Sequence, residues 1–75
     1  MGILFPAAMP SRHDLIARKQ AVRRALEQAR RELTRLRAAE ATRANQRQIS
    51  KIERKIEILM AEEYRLRLAI DRTND

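Results

Sequence analysis

Apolar positions in this chain recur at alternating spacings of three and four, in two separate runs. The first is Leu15, Lys19, Val22, Leu26, Ala29, Leu33 and Leu36; the second is Ile49, Ile52, Ile56, Leu59, Glu63, Leu66 and Ile70. Alternating threes and fours mark the a/d seam of a helix that buries one narrow stripe against a partner helix. Counted outward from residues 42 and 43 the two runs are mirror images, so facing positions such as Leu26 and Leu59 have residue numbers that sum to 85. A constant sum is the register of two antiparallel helices joined by one turn. The expected fold class is therefore all-α: an antiparallel two-helix hairpin of coiled-coil type, preceded by an extended apolar N-terminal arm.

Boundary signals divide the chain into an arm over 1–10 and a hairpin over 11–75. Ser11 is a favourable N-cap, Asp14 three residues later suits a capping box, and Pro10 can staple onto Leu15. These place the first helix at about 12–39, a turn at about 40–45 and the second helix at about 46–72. The turn contains neither Gly nor Pro. It offers Thr42 and Asn45 as caps, with Ser50 followed by Glu53 as a further start. Ala39, Ala41 and Ala44 would tolerate one uninterrupted helix, but the phase of the seam opposes it. Continuing the first stripe would use 40, 43 and 47, whereas the second begins at Ile49. That two-residue displacement swings the stripe by roughly 200° about the axis.

Lys19 and Glu63 occupy seam positions where apolar residues are expected. Each can snorkel to water over its own aliphatic stem. The sharper expectation is a partly buried interhelical pair between them that fixes antiparallel register.

Composition limits the chemistry. The chain has 75 residues, 36% of them charged and 3% aromatic, with no Cys and one His. A single hairpin of this size encloses no substrate-sized interior. Disulfides and thiolate metal sites are excluded, and the lone His13 falls in a first helical turn beside Asp14, where a solvated side chain is expected. No Gly-rich phosphate loop and no nucleophile with an adjacent base is present. The expectation is no catalytic residue, no metal, no cofactor and no small-molecule substrate. No apolar run reaches the 18 residues of a membrane span. The arm MGILFPAAMP has no charged n-region, Pro6 interrupts its apolar stretch, and Pro6 also stands where a myristoylation motif requires Ser or Thr. The default compartment is cytoplasmic, or the inside of a virion or another large assembly.

Charge adds a second candidate surface. Residues 1–48 hold 11 Arg or Lys against 4 acids, whereas residues 49–75 hold 6 of each sign, so the formal net of +7 resides in the first part of the chain. Arg23, Arg30 and Arg37 recur every seven residues, with Arg24 and Arg31 beside them. As a function this stripe reads as phosphate-binding, because guanidinium groups grip phosphate bidentately. As a solvated face it is balanced by Glu27 within the helix and by Glu53 or Glu57 across the hairpin. No aromatic side chain interleaves with it, so base stacking is not on offer.

The second helix carries apolar groups away from its seam. Ile58, Ala61 and Leu68 fall on one outer line, with Met60 and Tyr64 nearby. Two-helix hairpins rarely persist without further burial, so a cover is expected for this surface. Ile3, Leu4 and Phe5 of the arm are positioned to fold back over Leu68, or to dock together with the outer line onto another subunit. The leading expectation is a non-enzymatic assembly module with a protein partner or a second copy of itself. The second is a sequence-nonspecific nucleic-acid-binding hairpin acting through the Arg stripe, and a small virion or nucleoprotein component would combine both. A peripheral membrane binder fits the charge but not the weak apolar moment outside the seam.

Overall fold

The computed structural model describes residues 11–73, which form two α-helices and no strands. Helix α1 spans Arg12–Ala38 and helix α2 spans Arg43–Arg72. The two are joined by a tight turn over 39–42 and pack along their length as a helical hairpin. The expected arm over 1–10, with Ile3, Leu4 and Phe5, lies outside the described residues.

Capping explains both helix starts. The Ser11 hydroxyl accepts the Asp14 N–H at 3.1 Å, and the Ser11 carbonyl accepts the Leu15 N–H at 3.0 Å. At α2 the Thr42 hydroxyl accepts the Asn45 N–H at 3.1 Å, so the helix begins at Arg43, three residues before the expected start. Of the three possible caps Thr42 prevails, because Asn45 has a second task in the turn. Its side-chain amide donates to the Glu40 carbonyl at 2.7 Å, while the Thr42 N–H donates to the same carbonyl at 2.8 Å. A carbonyl of the turn itself is thereby satisfied twice. The flanking residues Ala39 and Thr42 are both extended, at ψ 172° and 162°, and no residue among those described takes a positive φ. The turn closes without glycine because no left-handed residue is required.

The core is one seam deep. Leu15, Val22, Leu26, Ala29, Ile52, Leu66 and Ile70 are buried, whereas Lys19, Leu33, Leu36, Ile49, Ile56, Leu59 and Glu63 are half-buried. Leu15, Val22, Leu26, Leu66 and Ile70 form one cluster, with Ile56, Leu59 and Ala69 packed against it. No large side chain among the described residues is fully enclosed, as expected for a structure with two helices and no third layer.

Two cross-helix ion pairs report the register directly. Arg37 meets Glu53 at 2.7 Å and Arg23 meets Glu63 at 3.7 Å. Their residue numbers sum to 90 and 86, within about one and a half helical turns of the seam's 85. The second pair corrects an expectation: Glu63 is partnered by Arg23 rather than by Lys19. Arg23 lies one position outside the seam beside Val22, the residue that faces Glu63. A guanidinium on the flank reaches this carboxylate while keeping water contact, with Arg23 67% and Glu63 22% exposed. Lys19 stays half-buried and, among the described residues, forms no ion pair.

Candidate functional site

Two surfaces emerge when the hairpin is divided at the level where residues 29 and 56 face each other. The half next to the turn comprises 30–55; the open half comprises 11–29 and 56–73. Folding sets the basic end of α1 beside the basic start of α2. The turn half consequently holds nine Arg or Lys against three acids, a net of +6, and the open half holds eight against six, a net of +2. Exposed large apolar side chains segregate the other way. Ile16, Ile58, Met60 and Tyr64 are 38, 59, 49 and 59% exposed, and all four belong to the open half.

The apolar residues of α2 do not share one line. Met60 and Tyr64 are one turn apart on one flank of the seam, whereas Ile58 stands roughly 120° from Tyr64, at about 100° per residue. Ile58 borders a shallow groove of about 350 Å³ together with Arg18, Glu62, Arg65, Leu66 and Ala69. Leu68 is half-buried and Ala61 is exposed. Ile16 had no place in the outer line read from the sequence; its signal was adjacency to seam residue Leu15, one position outside the stripe.

The Arg stripe of α1 is only partly open. Arg23, Arg24, Arg30, Arg31 and Arg37 are all exposed, but Arg23 and Arg37 are engaged by Glu63 and Glu53 of α2. Arg24, Arg30 and Arg31 form no ion pair among the described residues, and Glu27 stands three or four positions from each of them on the same helix. At the start of α2 the pattern differs. Arg43, Arg47, Lys51, Arg54 and Lys55 are all exposed, none forms an ion pair among the described residues, and the first turn of α2 contains no acid. The single acid of this stretch, Glu53, is turned to Arg37.

Among the described residues no group of three or more His, Cys, Asp or Glu is gathered closely enough to hold a metal ion. Among the described residues no helix is long and apolar enough to cross a membrane. Comparison with family models, with curated proteins and with solved structures finds no match to this chain.

Proposed function

We propose that this protein is a non-enzymatic assembly module: a small coiled-coil hairpin that joins a larger complex through the open half of α2. One observation carries the reading. Ile58, Met60 and Tyr64 stand about half or more exposed on a hairpin in which no large side chain among the described residues is fully enclosed. Burying the exposed remainder of each of these residues gains on the order of 1 kcal/mol, about half the value for a fully exposed side chain, which a two-helix core of this depth lacks and a docking partner would supply. The flanking charges Glu62, Arg65, Arg67 and Asp71 suit the polar rim that surrounds such contacts.

Mass measurement across a concentration series, by sedimentation or light scattering, tests the self-assembly form of this reading. Cross-linking in cell extract, followed by identification of linked peptides, tests the form with a different partner. The substitutions Ile58→Glu, Met60→Glu and Tyr64→Glu together should abolish the assembled species while the circular dichroism of the hairpin is retained. Association that survives all three substitutions would remove this surface from the account. The α1 Arg stripe is the weaker basis for function, because two of its five members already have acidic partners within the hairpin.

A further inference from the structure

We infer that the outer side of α2 over residues 43–55 is a nucleic-acid-binding surface, on which Arg43, Arg47, Lys51, Arg54 and Lys55 contact the phosphodiester backbone. It uses none of the apolar residues invoked for assembly, so either proposal can fail alone.

At about 100° per residue, these five cations fall within an arc of roughly 120° that points away from the seam. They span about 18 Å along the axis, at 1.5 Å per residue. Glu53 lies outside the arc and is bound to Arg37 at 2.7 Å. Arg43, Arg47, Lys51 and Lys55 are successive i, i+4 neighbours of like charge. Each such contact weakly destabilises a helix when no counter-charge is present. Arg43 also stands at the positive end of the α2 dipole, where anions are favoured and cations are not. The patch is thus electrostatically self-opposed in the free hairpin, and a polyanion relieves each of these repulsions.

Nucleic acid is favoured over an anionic bilayer by what surrounds the charges. An interfacial helix needs an apolar face beside its basic one. Over 43–55 the apolar residues Ile49 and Ile52 belong to the seam and the arc itself adds only Ala44; the first large apolar side chain on that side, Ile58, stands alone just beyond it. With no aromatic side chain in the patch, binding is to backbone and carries no base preference.

The three lysines permit a test on the unaltered protein. Acetylation followed by mass spectrometry, with and without a 30-nucleotide single strand or the matching duplex, should show slower modification of Lys51 and Lys55 and an unchanged rate at Lys19. In parallel, fluorescence anisotropy with the same oligonucleotides compares two variants of equal net charge. One carries Gln at Arg43, Arg47, Lys51, Arg54 and Lys55; the other carries Gln at Arg12, Arg18, Arg24, Arg65 and Arg72. The first should bind at least about tenfold more weakly at low salt, with the log–log salt slope flattened by roughly 0.7–0.9 per lost contact. The second should keep nearly the full slope. Equal weakening in both variants, equal protection of Lys19, or no salt-sensitive binding by the wild type would overturn the assignment. Tighter binding to phosphatidylserine-containing vesicles than to either oligonucleotide at the same ionic strength would also overturn it. Should the first variant lose its helicity, the lysine footprint decides alone.

Discussion

The two ends of this hairpin are held together by different physics. In the open half six seam residues are buried, namely Leu15, Val22, Leu26, Ala29, Leu66 and Ile70, and small neighbours at Ala25 and Ala69 let the helices approach. In the turn half only Ile52 is buried, and Leu33, Leu36 and Ile49 remain partly wet. Their flanks are Glu32, Arg37, Gln48 and Glu53, which cannot widen the apolar contact. What closes this half is polar: the Thr42 cap, the Asn45 amide on the Glu40 carbonyl, and the Arg37–Glu53 pair. The difference teaches that a uniform heptad pattern does not make a uniformly stable hairpin, because burial depends on the flanking positions as well as on the seam.

The largest expected effect comes from the open half. Leu26→Ala should destabilise the protein by about 3 kcal/mol, because a well-buried leucine leaves a cavity that a narrow core cannot fill. Leu36→Ala, at a half-buried seam position, should cost less than about half of that. Thermal or urea unfolding followed by circular dichroism at one fixed protein concentration measures both. Equal costs would break the comparison by showing that the turn half is as tightly packed as the open half.

Thr42→Ala sharpens the other side. Removing the cap should cost about 1 kcal/mol, and hydrogen exchange should show the loss concentrated in the first turn of α2. If exchange rises equally at both ends, the turn is not a separately stabilised unit. The smallest effect belongs to the ion pair. A double-mutant cycle with Arg37→Gln and Glu53→Gln should return a coupling of about 0.2–1 kcal/mol, since both groups remain about half exposed or more. That coupling should vanish in 1 M salt, where the screening length falls to about 3 Å. Persistence at high salt would mean that the pair is shielded from solvent.

Much of this architecture is legible in the sequence because the signals are local. Ser11 and Thr42 are caps by residue type, and the seam is visible because helical period is a property of one chain segment read by itself. Where local signals compete, the reading loses precision. Asn45 resembles a cap, yet its amide serves the Glu40 carbonyl of the turn, a role visible only once the chain has reversed there.

Periodicity and its mirror symmetry were enough to specify two antiparallel helices about a turn near residues 42 and 43, packed along the alternating leucines and isoleucines. Which charges meet became definite only when the two helices packed. Glu63 looks toward Lys19 when seam positions are compared alone, but the flank residue Arg23 reaches it first. Charge counted along the chain puts the whole excess before residue 49. Folding regroups it, because the end of α1 and the start of α2 come to the same level, leaving the turn half at +6 and the exposed apolar side chains at the opposite end. Periodicity is written along one helix, whereas electrostatic partnership depends on distances between two, and those distances exist only after the hairpin has closed.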